Sequence, residues 1–275
     1  MKLSVVVVSQ NTCTLLKQAL NSLIEACKGI DYEVIVVDNA SADKTINMIS
    51  DEFPEVNVIA NDVDLGISKA SNQGMRLSTG EYILLVNADT ISGKDSLEKM
   101  TGFMDDHMDA GGIGVRMLSP QGRFLPESIH GLTKIWAAFF KFIGFAKYLS
   151  KTRLYNRNRK DWVEEFQIAE VDILNGACML LRRSALNETG LFDERFFMFG
   201  HAIDLSYRIR LAGFKNYYFP KTYIINFESR YLAKFSWSYI KYFYGAMFIF
   251  AVKYLLPEFK LAGKPQLVPS AYEVK

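Results

Sequence analysis

The chain has 275 residues, 49% hydrophobic and 23% charged, with a formal net charge of +2; it is long enough to bury one substantial core or two fused ones, and its charge gives no reason to expect nucleic acid as a partner. Cys13, Cys27 and Cys178 are odd in number and lack a zinc or redox spacing, which points to reduced thiols in a cytoplasmic protein. Cys178, inside the apolar run 177–181, reads as a core thiol, and Met1-Lys2-Leu3 leads straight into a short strand, so no secretory leader is expected.

Residues 3–8 are a β-rich apolar run, and residues 14–26 carry Leu15, Leu16, Ala19, Leu20, Leu23 and Ile24 at helical spacing. A second buried strand is predicted over 33–37, a turn rich in capping residues over 38–43, and a helix over 44–53. A third strand follows at 56–60, then a polar turn through Gly66, a helix over 68–78, and a strand that ends at Asp89. Strands separated by helices of this length predict a doubly wound, mainly parallel, Rossmann-like α/β sheet with right-handed crossovers. No internal repeat is present.

In such a sheet, ligands bind outside the carboxyl ends of the strands. Asp89 is therefore placed to hold a divalent cation against a phosphate-bearing ligand, the alternative being a carboxylate that merely opens a turn or caps a helix. Asp38, just past the second strand, is suited to accept hydrogen bonds from a base or ribose, or else to cap the next helix. Ser9, Gln10 and Asn11 follow the first strand without the glycines that a dinucleotide fingerprint or P-loop needs. Gly66 permits a tight turn, from which Lys69 or Asn72 would reach a phosphate or base.

These stretches resemble the family-2 glycosyltransferases, nucleotide-sugar-dependent enzymes of the GT-A fold. The matching segments are 4–11, 34–43, 61–74 and 80–90, then Val171-Asp172-Ile173-Leu174-Asn175-Gly176-Ala177-Cys178-Met179-Leu180, then residues 190–200 and Asp204-Leu205-Ser206-Tyr207-Arg208-Ile209. They keep the family's order over most of residues 1–225, and the chain is most similar in feel to the bacterial rhamnosyltransferase-like subgroup. The resemblance implies a donor half over 1–110, an acceptor half of the same GT-A domain over 111–228 and a C-terminal helical segment and tail over 229–275. It implies that Ser9, Gln10, Asp38, Gly66, Lys69, Asn72 and Asn87 bind the nucleotide-sugar and that Asn175 and Gly176 face the acceptor. Asn87-Ala88-Asp89 stands where the family has an Asp-x-Asp-like motif, so Asp89 would be the ligand of Mg²⁺ or Mn²⁺, with one formal charge fewer than the motif supplies.

Two positions depart from the family pattern. Where members typically carry Glu-Asp-x-Asp-Leu, this chain has His201-Ala202-Ile203-Asp204-Leu205, so the place of the general base is Ala202. Losing a positioned base typically costs roughly a hundredfold to ten-thousandfold in rate. Asn226 stands where the family commonly has His. His201 and Asp204 are the substitute candidates for the base, against the alternatives that His201 is a solvated helix-start residue and that Asp204 pairs with Arg208 at i+4 spacing.

Residues 135–149 and 235–256 are aromatic, apolar and sprinkled with lysine. Neither contains an uncharged run near the roughly 20 residues that span a bilayer, so the second is expected to lie on a membrane surface, or else to pack against the catalytic domain or a second subunit in a homodimer. The reading is an inverting transferase that moves a sugar from a nucleotide-diphosphate sugar to a hydroxyl of a glycan or lipid-linked glycan in cell-envelope polysaccharide synthesis. It would be cytoplasmic, or peripheral at the inner face of the membrane. The alternative is a catalytically impaired nucleotide-sugar-binding or assembly subunit of the same fold. A nucleotidyltransferase would need a glycine-rich basic loop where the chain has Ser9-Gln10-Asn11-Thr12.

Overall fold

The structure, a computed structural model, describes residues 1–130, 139, 165–227 and 236–255. The first third alternates as the periodicity predicts: β1 (Leu3–Ser9), α1 (Cys13–Ala26), β2 (Tyr32–Asn39), α2 (Thr45–Glu52), β3 (Asn57–Asn61), α3 (Ile67–Leu77) and β4 (Tyr82–Asn87). There follow β5 (Thr90–Ser92), α4 (Ser96–Asp106), β6 (Ala110–Leu118), α5 (Glu127–His130), β7 (Ala169–Val171), β8 (Cys178–Arg182), α6 (Arg183–Thr189), α7 (His201–Leu211), β9 (Lys215–Asn226) and α8 (Trp237–Leu255). The predicted segment 135–149, except Phe139, and the tail 261–275 lie outside the described residues.

The described strands form one sheet in the order β3-β2-β1-β4-β8-β6-β9-β5, with β7 on β9. β3, β2, β1 and β4 are parallel, while β8 runs antiparallel to both β4 and β6 and turns the far half into a mixed sheet. From β1 the chain winds outward through β2 to β3, and β4 lies on the opposite side of β1. The carboxyl ends of β1 and β4 thus flank the topological switch point where this class of sheet opens a crevice.

Strand alternation divides the core. Val5, Val7, Val34, Val36, Leu84 and Val86 pack with Leu16, Leu20 and Leu23 of α1 and Met100 and Met104 of α4. Val6, Ile35, Ile83 and Leu85 face the other way, toward Met75 of α3, Leu186 of α6 and Leu205 and Ile209 of α7. Both faces of β1 are therefore covered, which is why it reads as a continuous apolar run. α3 lies so close to β1 that a Cβ at Gly74 would run into Val6. A third cluster, Ile173, Phe196, Ile203, Phe243, Ala246, Met247 and Phe250, seats α8 against α7 and the loop before it. Cys178 is buried in the first cluster, with its thiol pushed up to about 12 by burial.

Two strand ends differ from expectation. The second strand, predicted to stop at 37, runs on to Asn39, so Asp38 lies within β2 rather than just past it. The strand predicted to end at Asp89 stops at Asn87, and Ala88 and Asp89 form a turn into β5. The Phe227 amide donates to the Asp89 carbonyl at 3.0 Å, and Thr90 pairs with Asn226, so the far end of β9 closes this turn.

Candidate active site at the strand ends

Ser9 is in register with Asp38, and Val8 with Asn87, so Asp38 and Asn87 stand on either side of β1 at nearly the same height. With strands about 4.8 Å apart they are separated by roughly 10 Å. Asp38 is buried; its Oδ2 accepts from the Ser41 amide at 3.0 Å, and its Oδ1 is buried with no hydrogen-bond partner. Asp38 does not cap α2: Asp43 receives the Thr45 amide at 3.0 Å instead. A buried acceptor without a partner is costly unless something outside the chain satisfies it.

The two loops flanking this carboxylate are laced together. The Asn11 amide donates to Ser41 Oγ at 2.8 Å, the Ala42 amide to Asn11 Oδ1 at 2.7 Å, the Cys13 amide to Asp43 Oδ2 at 3.0 Å and Gln10 Nε2 to the Asn39 carbonyl at 3.1 Å. Asn11 and Ala40 take positive φ of 53° and 63°, a conformation that favours glycine and that these bonds hold in place. Ser9, buried at the end of β1, shares a 2.9 Å hydrogen bond with Thr12. Asn39 was not singled out from the sequence, yet its side chain ties Asp64 and the Leu65 amide to the end of β2. Nothing in its residue type distinguishes it from an ordinary turn asparagine.

Gly66 and Asn72, expected on the donor side, are occupied within the protein. The first amide of α3, Ile67, donates to the Phe197 carbonyl at 2.7 Å, Ser68 Oγ donates to the Phe196 carbonyl, and Gly66, at φ 76°, leaves room that a Cβ would take from Phe197. Asn72 is buried and closes both of its ends on one loop: Nδ2 donates to the Phe192 carbonyl at 2.9 Å and Oδ1 accepts the Phe192 amide at 3.0 Å. The start of α3 therefore holds the 192–197 loop, which a single sequence does not reveal because the partner lies more than a hundred residues away. Lys69 is exposed on the same helix. Despite burial that opposes ionisation, bonds from Asn72 and Arg76, with Lys69 nearby, hold the Glu194 carboxyl below its usual range.

That loop delivers α7 to the strand ends. A cavity of about 20 Å³, room for roughly one water, is lined by Ser71, Asn87, Gly176, Phe192 and His201 above the β1 and β4 valines. A Cβ at Gly176 would lie 3.2 Å from Ala202 Cβ and 3.3 Å from His201 Nε2, so the loop expected to face the acceptor abuts the two residues at the start of α7. Asn175 shapes the loop, accepting the Ala177 amide at 2.8 Å and donating to the Glu127 carbonyl at 3.2 Å. His201 is not a solvated helix start: its ring meets Phe192 edge-on at 4.9 Å, and burial depresses its pKa from 6.5 to about 4 against the opposing pull of Asp204. A wider open depression of about 650 Å³, lined by Gln18, Asn21, Ser22, Glu25, Ser92 and Lys94, carries none of these residues.

Asp204, the second candidate base, has both oxygens engaged. Oδ2 accepts from Arg208 Nε at 2.8 Å, while Oδ1 accepts from Lys253 Nζ at 2.6 Å and Tyr254 Oη at 2.7 Å, with the carboxylate fully buried. The i+4 pairing with Arg208 is thus present, and α8 supplies the other half.

Among the described residues no three His, Cys, Asp or Glu side chains cluster as a metal site. Beyond β4, Asp89 is the carboxylate of the turn, two residues after Asn87, and the next residue, Thr90, pairs with Asn226. One carboxylate and neutral oxygens suit a hard cation held chiefly by phosphate oxygens of a ligand and by water, rather than by an all-protein cage.

The sequence model of glycosyl transferase family 2 matches residues 4–190. The chain is 26% identical over 208 residues to the N-acetylglucosaminyl-diphospho-decaprenol L-rhamnosyltransferase of Mycobacterium tuberculosis H37Rv, which covers 71% of this chain and 66% of that protein; the chain thus spans just under two thirds of that relative. Similar folds are those of Staphylococcus aureus TarS in complex with UDP-GlcNAc (TM-score 0.60, 20% identity, 92% of this chain, 66% of that one) and of the mannosyltransferase PcManGT from Pyrobaculum calidifontis with GDP-Man and Mn²⁺ (TM-score 0.60, 18% identity, 96% and 65%).

Proposed function

The chain belongs to glycosyl transferase family 2, and from that premise we propose that it transfers a sugar from a nucleotide-diphosphate sugar to a hydroxyl of a glycan or lipid-linked glycan, with inversion, in cell-envelope polysaccharide synthesis. The observation that carries this reading is Asp38: a buried carboxylate oxygen without a partner, on β2 next to the switch-point strand β1, in register with Ser9. It is an acceptor prepared for an N–H of a base or an O–H of a ribose.

Residues 1–110 then hold the donor and 111–228 the acceptor. Ser9, Gln10 and Asp38 line the nucleoside side; Asn87 and Asp89 face the diphosphate; Lys69 offers an exposed cation; Gly66 and Asn72 act indirectly, by fixing the 192–197 loop. Asp89 would hold a divalent cation, Mg²⁺ or Mn²⁺, which when bound neutralises charge on the departing diphosphate. The acceptor hydroxyl, brought in over Asn175 and Gly176, forms its bond to the anomeric carbon as the bond to the diphosphate oxygen breaks. Its proton must pass to a base or to water. With Ala202 at the family's base position and Asp204 held in ion pairs, His201, which lines the small cavity with Asn87 and Gly176 and is kept neutral by burial, would be the side chain to accept that proton.

A second reading is favoured by Ala202 and Asn226: a nucleotide-sugar-binding or assembly subunit that kept the donor pocket and lost the base. The test is calorimetry with UDP-, GDP- and dTDP-sugars, with and without Mn²⁺, followed by a hydrolysis assay on whichever binds. Binding with turnover supports the transferase, binding without turnover the subunit, and no binding overturns both.

A further inference from the structure

We propose that the outer face of α8 is a docking surface for an anionic lipid bilayer, with Trp237, Tyr244 and Phe248 as anchors and Lys241 as the headgroup contact. α8 has two faces. Phe243, Ala246, Met247 and Phe250 are buried in the third cluster. Trp237, Lys241, Tyr244 and Phe248 are exposed, Trp237 by 85%, Tyr244 by 59% and Phe248 by 70%. At about 100° per residue these four positions fall within roughly 60° of arc, forming a stripe about 16 Å long from Trp237 to Phe248. Scattered exposed apolar residues need no explanation, but three large aromatics in one line on one helix do.

Charge selects the occupant. Residues 229–257 contain Arg230, Lys234, Lys241 and Lys253 and no Asp or Glu. Lys253 is turned inward, to Asp193 and Asp204, which leaves Lys241 as the cation of the stripe itself. Aromatic rings with a basic residue among them are the composition of a helix lying in the headgroup region, where the rings bury in the acyl boundary and the ammonium meets anionic lipid. A second copy of the chain fits less well: a two-fold interface centred on the stripe, near residue 242, would bring two Lys241 ammonium groups together. No described helix is long and apolar enough to cross a bilayer, so docking would be along the surface.

The inner face of α8 is connected to the strand-end site. Tyr242 stacks on Phe197 at 4.3 Å, and the Phe197 carbonyl receives the first amide of α3. Docking through the outer face therefore fixes how the 192–197 loop and the start of α3 lie relative to the bilayer.

The experiment is flotation of the full chain with vesicles of phosphatidylcholine alone and of phosphatidylcholine mixed with phosphatidylglycerol, without donor or acceptor, so its outcome is independent of the sugar-transfer reading. The wild type is expected to float with the anionic vesicles and to be released by salt. Trp237→Ser combined with Phe248→Ser should weaken this by about tenfold or more, and Lys241→Glu alone should weaken binding to anionic vesicles by a similar factor while leaving the thermal midpoint unchanged. The proposal is overturned if the wild type stays in solution with both vesicles, if folded variants float as the wild type does, or if the wild type is a dimer that the double variant converts to monomer.

Discussion

Lys253 Nζ lies 2.6 Å from Asp204 Oδ1 and joins the last turns of α8 to the first turn of α7. The same ammonium reaches Asp193 Oδ2 at 2.9 Å; against the cost of burial, Arg195 and Lys253 together hold the Asp193 carboxyl well below its usual range. Both carboxylates are thus tied into the packing of α7 and its loop against α8. Lys253→Met removes one of three partners of a buried charge and should cost about 2–3 kcal/mol, less than the roughly 3–5 of a fully stripped partner. Urea unfolding measures it. Asp204→Asn should lower stability while leaving transfer per folded molecule within a few-fold of wild type; loss of turnover at unchanged stability would return Asp204 to the role of base.

The unsatisfied oxygen of Asp38 makes a sharper demand. Asp38→Ala should weaken nucleotide binding by about 10- to 150-fold, the range for a hydrogen bond to a charged group, with the thermal midpoint of the free protein lowered only modestly by loss of the bond to the Ser41 amide. Calorimetry against nucleoside diphosphates checks this. Equal affinity in the variant would mean that Oδ1 faces no ligand.

Binding of the nucleoside diphosphate should strengthen in Mn²⁺, and Asp89→Ala should remove most of that increment while leaving metal-free affinity within a few-fold. Titrations with and without chelator separate the two. Metal-independent binding that ignores the substitution would remove Asp89 from the diphosphate site.

His201 has a folded pKa of about 4, below its unfolded 6.5. As pH falls from about 6.5 to about 4 the unfolded chain takes up the proton first, so stability declines across that window and is fully present above it. His201→Gln should flatten this part of the stability–pH curve by about 1–3 kcal/mol. If His201 also receives the acceptor proton, kcat/KM should fall with an acid limb near pH 4, the folded pKa of the free protein, and His201→Gln should abolish that limb together with most of the rate. Ala202→Asp should raise turnover at unchanged donor affinity; a neutral outcome with a strong His201 effect would show that the histidine has replaced the carboxylate.

The strand–helix order and the parallel pairing of the first four strands were readable from sequence, because apolar periodicity and turn chemistry are local properties of a dozen residues; the ends were not, since Asp38 lies inside β2 and β4 stops at Asn87. β8 inserting antiparallel between β4 and β6 was not, since the partner of a strand is set by packing among distant segments. The same division runs through the site. The Asp204–Arg208 pair, which spans one helical turn, was legible. That Asn72 and the start of α3 hold the 192–197 loop, that Lys253 and Tyr254 complete the partners of Asp204, and that Gly176 rests against His201 and Ala202 were decided only in three dimensions. A side chain's type states what it can bond. Whether a ligand or a distant carbonyl occupies that bond depends on which segments the core brings together.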